Sequence, residues 1–343
     1  MVGLDHVDTW VKIHDTPACA SKLLDDDLDG LLHLSNWNYR SAVGALSYLQ
    51  AMVRPDITTP VQQCARFWNN PRQQHEEAVK HICRYILKTK NRGLVLKPDP
   101  TYGLECHGNV DWAVSWQDRS SHDPLSAHSR TGYVITYAGC PIIWSSKMQY
   151  LISLSTTEVD YIPLSSYLRE VIGVLNLMNE LKERKFYFNN SIPKMKCRVF
   201  KDNMSCIEIS KNHCTQPRTK YLSVRLHHFW SHVINKTISI EHISTKEQIA
   251  EMFTKPLPRD QFQKLCDRLM CWTSISAVRE WAIYRFPSLT RIGHGNRHFN
   301  DFHLSQESVT LTDICHGKRH LLHQLRKPIT VTVRLMVYNW WRF

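Results

Sequence analysis

Two acidic residues lie where a long helix and a later strand would bring them together. Asp160 falls in the first turns of the longest helical pattern, which covers residues 155 to about 182. Asp202 ends a strand predicted over residues 196–202. A carboxylate at the start of a helix that packs on a sheet, facing carboxylates from strands, can hold two divalent cations for phosphodiester hydrolysis. These residues therefore raise the hypothesis of a two-metal nuclease site.

The segments around these acids predict a mixed sheet of five strands. Their alternating apolar positions and their β-branched and aromatic content are typical of strands. Short turns join the first three strands, with one turn predicted at residues 139–141, and this favours an antiparallel meander. Helices separate the other strands, so we predict an α/β protein with helices on both faces of the sheet. The predicted strands are 104–116, 131–137, 142–145, 196–202 and 237–243, and the later helices are 155–182, 217–235, 247–254 and 260–270.

A small helical segment precedes the predicted sheet. Residues 39–53 place apolar side chains at a helical spacing, and the sequence RPD at 54–56 ends that pattern and can begin the next helix. A third helix is predicted from about residue 75 to residue 88. A basic face on it could contact phosphate groups, but simple exposure to water explains it equally well. That face carries Lys80, Arg84 and Lys88.

The overall composition favours a polyanionic partner. The chain has 343 residues, 43% of them hydrophobic, and a formal net charge of +12, so it can form a core and attract nucleic acid. A basic protein with no specific ligand is the alternative. The eleven cysteines include no C-x-x-C pair, which predicts free thiols in an intracellular compartment, the cytoplasm or the nucleus. No signal peptide and no long apolar run are recognisable, so we predict no membrane segment.

Six short segments, taken in order, resemble the C-terminal end of copia-type retrotransposon Pol polyproteins. They are YRSAVG at 39–44, RPDI at 54–57, STTE at 155–158, DN at 202–203, RTK at 218–220 and FTKPLP at 253–258. The resemblance covers roughly residues 35–270. It implies a ribonuclease H-like fold and, in the family, Mg²⁺-dependent cleavage of the RNA strand of an RNA–DNA hybrid.

The resemblance also implies a domain organisation. Residues 1–35 are expected to be a linker, and residues 36–92 a helical thumb/connection remnant of a reverse transcriptase. Residues 93–272 are expected to form the ribonuclease H-like domain. Residues 273–343 match no part of the family and are expected to be a poorly ordered basic tail.

The resemblance implies four acidic positions in the site, and this chain departs from three of them. Asn109 stands where the metal-bridging acid is expected, and its amide offers only a neutral carbonyl. Asp111 lies on the same face of the strand, roughly 6.5 Å further along, and is a possible substitute. Asp160 is one methylene shorter than the family glutamate, Asp202 matches, and Glu251 replaces an aspartate. Asp160, Asp202 and Glu251 are thus the predicted Mg²⁺ ligands of a weakened two-metal site.

Three interpretations remain open at this point. The chain could be an impaired or inactive ribonuclease H, an active one that uses Asp111, or a non-catalytic module that binds nucleic acid or protein. Pro163 also departs from the family, which tends to have alanine at this position, and a proline inside a helix costs about 3 kcal/mol. The expected partner is an RNA–DNA hybrid or another nucleic acid. The residues predicted to contact it are Lys80, Arg84, Lys88, Arg218 and Lys220.

Overall fold

The predicted five-stranded mixed sheet is confirmed. The computed structural model describes residues 14–19, 24–32, 37–99, 101–113, 127–152, 156–184, 196–211, 229–272 and 331–332. A central sheet has the strand order β4-β3-β2-β5-β6, and β1 pairs with β7 separately. Strands β2, β3 and β4 are antiparallel, whereas β5 runs parallel to both β2 and β6. The strands are β1 (Val95–Leu96), β2 (Leu104–Asp111), β3 (Arg130–Tyr137), β4 (Cys140–Met148), β5 (Cys197–Lys201), β6 (Ile238–His242) and β7 (Val331–Thr332).

Helices precede, interrupt and follow the sheet. The described part of the chain contains no helix that combines the length and the apolar content needed to cross a membrane. The helix predicted over 217–235 lies largely outside the described residues, which resume at 229. The helices are α1 (Tyr39–Met52), α2 (Thr58–Ala65), α3 (Gln73–Lys88), α4 (Thr156–Glu183), α5 (Met204–Lys211) and α6 (Arg259–Met270).

Two hydrophobic cores lie on opposite faces of the sheet. Successive residues of a strand point to opposite faces, and Val134 and Ile135 of β3 accordingly belong to different cores. Ile135 packs with α4 and α5. Val134 packs with α1, α2, α3, α6 and residues 249–253. The sheet is therefore covered by helices on both faces, and the N-terminal helical segment shares a core with the C-terminal part of the domain.

The β3–β4 hairpin turns one residue earlier than predicted. Ala138 and Gly139 form the loop, and both have positive φ, 51° and 76°. Two consecutive left-handed residues are typical of the type I′ turn, whose twist matches that of the flanking strands. Cys140 and Pro141 therefore already belong to β4. Because β4 is an edge strand, the missing N–H of Pro141 is tolerated there.

The helix predicted over 247–254 is wrong, because two short 3₁₀ turns replace it. These turns are Thr245–Glu247 and Ile249–Phe253, and the second is called the Glu251 turn below. Between them Gln248 has an extended backbone (φ −73°, ψ 104°), which prevents one continuous helix. The buried amide of Gln248 donates to one backbone carbonyl of β2 at 3.3 Å and to one of β5 at 3.1 Å. Gln248 thereby anchors the Glu251 turn to the sheet.

Part of the acidic N-terminal segment packs against α3. Leu24 is buried in the core that contains α1–α3. The backbone carbonyl of Asp25 lies 2.7 Å from His75 Nε2, and the carbonyl of Leu31 accepts from the N–H of Gln73 at 2.8 Å. The described residues 24–32 are therefore attached to the helical segment, while the predicted boundaries of the linker stay a prediction.

Pro163 lies inside α4 and leaves one helical carbonyl without its usual donor. Proline has no N–H, so the carbonyl of Val159, four residues earlier, loses its partner. The side chain of Gln149, directly after β4, donates to this carbonyl at 3.1 Å. This hydrogen bond explains how the helix accommodates the proline.

We expect Gln149→Ala to lower the free energy of unfolding by about 1–3 kcal/mol, because it leaves the buried carbonyl of Val159 unpaired. In a Pro163→Ala background the loss should be smaller, since the restored N–H at position 163 supplies the missing donor. Chemical denaturation of the wild type, both single variants and the double variant measures this coupling. Equal losses in the two backgrounds would contradict the assigned role of Gln149.

Candidate active site

Asn109 acts as a hydrogen-bond donor at the position where an acid is expected. It lies on β2, is 4% exposed, and faces the Glu251 turn. Its Nδ2 donates to Glu251 Oε1 at 2.8 Å and lies 3.4 Å from the hydroxyl of Thr254. An aspartate at this position could not donate to a carboxylate. The Asn109 amide, as a hydrogen-bond donor, therefore matches the carboxylate of Glu251.

Glu251 is held between this amide and a lysine. Its side chain is 2% exposed, and Oε2 forms an ion pair with Lys255 Nζ at 2.7 Å. Burial raises the pKa of the Glu251 carboxyl group, Lys255 opposes this rise, and the charges of Asp202 and Asp111 add to it. Burial acts to lower the pKa of Lys255, but Glu251 outweighs it, so that pKa is raised. Lys255 thus favours the charged form of Glu251, and Glu251 favours the charged form of Lys255.

Gly132 on β3 allows the Glu251 turn to lie against the sheet. Gly132 is opposite Asn109 in the β2–β3 register. A Cβ at Gly132 would lie 2.7 Å from the backbone carbonyl carbon of Phe253, which is too close for any side chain. The position of Glu251 therefore depends on a glycine in β3, the strand next to the central strand β2.

We expect Gly132→Ala to displace the Glu251 turn and to cost roughly 1–3 kcal/mol of unfolding free energy, because backbone atoms cannot yield as a flexible side chain can. Thermal or chemical denaturation measures the loss. Gly103→Ala is the matched control, since a Cβ there meets nothing within 4 Å. Equal stability of the two variants would show that the close approach at Gly132 is not constraining.

Asp160 forms a second, separate group at the end of β5. Its Oδ1 accepts from Lys201 Nζ at 2.5 Å, and its Oδ2 accepts from the amide of Asn203 at 2.6 Å. The Lys201 side chain is fully buried. Burial acts to lower the pKa of Lys201, but the nearby carboxylate of Asp160 outweighs it and leaves that pKa raised. Both carboxylate oxygens of Asp160 are thus engaged by donors from the chain itself.

Asp202 is the third predicted ligand, and its charge acts on both groups. It directly follows Lys201 at the end of β5 and is half-buried, and its Oδ2 accepts from the hydroxyl of Thr245 at 3.3 Å. The charge of Asp202 contributes to the raised pKa of Lys201 and also to the raised pKa of Lys255. Asp202 therefore links the Asp160 group and the Glu251 group electrostatically.

Asp111, the possible substitute acid, is at the end of β2. It is half-buried and lies opposite Arg130 of β3 in the strand register. Burial raises the pKa of Asp111, while Lys255 and Arg130 oppose the rise. The Arg130 side chain is itself buried and donates to the hydroxyl of Ser146 at 3.0 Å. Asp111 thus also faces cations that belong to the chain.

The predicted ligands do not form one metal-binding group. Among the residues the structure describes, no cluster of three or more His, Cys, Asp or Glu side chains is placed to hold a metal ion. The structure instead forms two groups, one in which Asn109 contacts Glu251 and one in which Lys201 contacts Asp160. The sequence did not predict the residues that organise these contacts.

Three polar residues absent from the sequence-based site complete it: Lys201, Gln248 and Lys255. Lys201 occupies an inward position of β5, where alternation predicts an apolar residue, and this is a signal that could have drawn attention. Lys255 lies four residues after Glu251, a spacing typical of an ion pair on a helical turn. Gln248 gives no such signal, because its partners are more than 40 residues away.

The basic face of α3 is largely paired with acids. Lys80 contacts Glu76 at 2.6 Å and Arg84 lies 3.8 Å from Glu77. Lys88 forms an ion pair with Asp15. Arg218 and Lys220 lie outside the described residues. The assignment of these five residues to nucleic-acid binding stays a prediction.

The sequences of known proteins identify the family. The Retrovirus-related Pol polyprotein from transposon TNT 1-94 of Nicotiana tabacum is 35% identical to the chain over 233 residues, or 68% of the chain. The chain belongs to the copia-type retrotransposon Pol family. The Pol polyprotein from transposon RE1 of Arabidopsis thaliana is 31% identical over 231 residues. This copia-type Pol chain spans only 16% and 15% of those two proteins. No protein-family model matches it.

Solved structures similar to this copia-type Pol chain include LC11-RNase H1 from a compost metagenome, alone and in complex with RNA/DNA hybrid. They are 14% and 13% identical to it, with TM-scores of 0.31 and 0.27. They cover 47% and 44% of this chain and 96% and 93% of their own chains. The strand order and directions described above agree with the predicted fold. In this copia-type Pol chain, three described α-helices, α1–α3, precede the five-stranded mixed sheet in sequence.

Proposed function

We propose that this chain is a catalytically impaired ribonuclease H-like domain that binds nucleic acid, with an RNA–DNA hybrid as its preferred partner. One observation carries the proposal. The buried amide of Asn109 donates to Glu251 at 2.8 Å, where cleavage would require a carboxylate shared by two cations. The ancestral reaction, hydrolysis of the RNA strand, thus lacks its bridging ligand in this chain.

The donor set does not fit the two Mg²⁺ that the family resemblance implies. Mg²⁺ needs near-octahedral oxygen ligands, with carboxylate oxygens that are free to bind it. Both oxygens of Asp160 are engaged by Lys201 and Asn203. Glu251 Oε1 accepts from Asn109, and Glu251 Oε2 forms an ion pair with Lys255. We therefore assign no cleavage step to a metal in this chain.

The two other functions that the sequence left open fit these observations less well. An active enzyme that uses Asp111 would need this carboxylate for a metal, but Asp111 faces Arg130 and Lys255, whose charges already oppose the rise in its pKa. A module that binds only protein would not need the net charge of +12. Binding of a hybrid uses that charge, because lysine and arginine displace counterions from phosphates.

The basic face of α3 can contribute to this binding. The ion pairs of Lys80 and Arg84 are at least partly exposed, and such pairs contribute little to stability, so phosphates could displace their acidic partners. Together with Lys88, Arg218 and Lys220, these side chains are the proposed phosphate contacts. Asp15, which pairs with Lys88, would have to move away when a phosphate binds.

Titration of the full chain against a fluorescently labelled RNA–DNA hybrid at several salt concentrations tests the proposal. We expect binding that weakens steeply as salt rises, with the hybrid recovered intact, because phosphate contacts release counterions. Single-stranded RNA and duplex DNA serve as competitors that test the preference for hybrid. Absence of binding at low salt, or cleavage of the bound hybrid, would overturn the corresponding part of the proposal.

A further inference from the structure

The predicted ligands Asp160, Asp202 and Glu251, together called the acid cluster below, are accompanied by two ammonium groups of the chain. Lys201 Nζ lies 2.5 Å from Asp160 Oδ1, and Lys255 Nζ lies 2.7 Å from Glu251 Oε2. The charge of Asp202 acts on both lysines. Each half of the cluster therefore has its own cation, supplied by the chain.

Three of these four side chains are largely buried, which distinguishes the contacts from ion pairs on the protein surface, and Lys255, at 40% exposure, is the exception. The Lys201 side chain is fully buried and that of Asp160 is 12% exposed, whereas Glu251 is 2% exposed. A buried ammonium group is stable only beside an anion and with its hydrogen-bonding capacity used. Asn203 and Asn109 supply the remaining donors to the two carboxylates. The two carboxylates have the same types of partner, because each contacts one lysine ammonium group and one asparagine amide.

We propose that Lys201 and Lys255 are built-in counter-ions that take the electrostatic role of divalent cations in this acid cluster. The inference deepens the proposed function, because it rests on the assignment of these acids as the remnant of a two-metal site. The two ammonium groups allow the domain to hold buried acids together without metal. To bind, a metal would have to displace an ammonium group from each carboxylate.

Thermal unfolding of the full chain in a chelator and in excess Mg²⁺ or Mn²⁺, without nucleic acid, tests this inference. The Tm of the wild type should be the same in both conditions, because the acids already have their cations. Lys201→Met should lower the Tm in chelator by roughly 10 °C, since it leaves Asp160 buried without a cation. Mn²⁺ should then raise the Tm of this variant, because a divalent cation can take the vacated place.

Two further variants separate the counter-ion role from a general loss of packing. The double variant Lys201→Met with Asp160→Asn removes both charges, so it should recover stability in chelator and lose the response to Mn²⁺. Lys264→Met is the matched control, because Lys264 pairs with Glu247 on the surface with 57% of its side chain exposed. It should change neither the Tm nor its dependence on metal. If Lys201→Met does not fold, Lys255→Met, whose lysine is 40% exposed, gives the same comparison with Glu251.

Three results would overturn the inference. One is a wild-type Tm that rises with metal as much as that of Lys201→Met. Another is a Lys201→Met variant as stable in chelator as the wild type. The third is a destabilised lysine variant, at either position, that shows no gain with Mg²⁺ or Mn²⁺. None of these results depends on whether the chain binds or cleaves a hybrid, so failure here is distinguishable from failure of the proposed function.

Discussion

Asn109→Asp is expected to destabilise the domain by roughly 3–5 kcal/mol at neutral pH in the absence of divalent metal, because it leaves buried charge without a compensating partner. The substitution replaces the amide that donates to Glu251 at 2.8 Å with a second buried carboxylate. Two carboxylates at this distance repel each other, and neither can donate while both are charged. Chemical denaturation in the presence of a chelator measures the loss.

The pH dependence of this loss follows from the raised pKa of Glu251. Burial already raises that pKa, and a neighbouring carboxylate would raise it further. A carboxyl group whose folded-state pKa is raised contributes stability at low pH and loses it as the pH rises through that folded-state pKa. Asn109→Asp should therefore be closer to the wild type at pH 5 than at pH 8. A loss that is constant across this range would contradict the assignment of the pair.

A matched control for this substitution is Asn69→Asp. Asn69 accepts a hydrogen bond from Arg40 at 2.6 Å at an exposed site, so an aspartate there faces a cation. We expect a change within about 0.5 kcal/mol, as for most exposed ion pairs. An equally large loss at both positions would mean that the effect of Asn109→Asp is not specific to the acid cluster.

Asp56→Asn is expected to have an effect of similar size, about 3–5 kcal/mol, because it removes the charge that pairs with a buried arginine. Arg54 is 5% exposed and forms two hydrogen bonds to the Asp56 carboxylate, at 2.9 and 2.7 Å. The hydroxyl of Tyr85 also donates to Asp56, at 2.8 Å. This network explains in physical terms why the sequence RPDI at 54–57 joins α1 to α2.

The loss at Asp56 should reach the candidate active site. The hydroxyl of Thr59, in α2, donates to the carbonyl of Met252 in the Glu251 turn at 2.7 Å. The helical segment and this turn also share one hydrophobic core. We therefore expect faster hydrogen exchange at residues 249–255 in Asp56→Asn than in the wild type.

Glu180→Ala is the control for Asp56→Asn. Glu180 pairs with Arg184 at 2.7 Å, but their side chains are 56% and 69% exposed. Its removal should change the free energy of unfolding by less than about 0.5 kcal/mol and leave exchange at residues 249–255 unchanged. Unchanged exchange there in Asp56→Asn itself would show that the helical segment does not support the Glu251 turn.

Much of the fold could be predicted from the sequence, because the signals for elements such as β3 and α4 are local. Alternation and β-branched content predicted β3, and the apolar face of α4 predicted that helix nearly to its end at Glu183. The helix predicted over 247–254 failed because Gln248 adopts an extended backbone that is fixed by hydrogen bonds to distant strands. Local propensity contains no information about such contacts.

The site was predicted less completely, for a related reason. The sequence showed that Asn109 replaces an acid, and this suggested a simple loss of charge. The structure shows a donor that matches Glu251, which is 142 residues away. Likewise, Lys201 and Asp160 are 41 residues apart, and the packing of α4 against β2, the strand next to β5, brings them together. The amide at position 109 and the two lysines thus all contact buried carboxylates.

Pro163 illustrates the same limit in the helix that carries Asp160. Its position predicts a cost of about 3 kcal/mol in isolation. The structure shows that Gln149 donates to the carbonyl that the proline leaves without a partner. The helix therefore continues through Pro163 to Glu183, and the proline does not by itself indicate a damaged fold.

The most direct test of the central claim is cleavage of an end-labelled RNA–DNA hybrid by the full chain in Mg²⁺ and in Mn²⁺, with Asp202→Asn as the paired control. Asp202 is the acid that matches the family, so any two-metal cleavage must depend on it. We predict that the wild type cleaves no faster than Asp202→Asn in either metal. Cleavage by the wild type that disappears in Asp202→Asn would contradict the account.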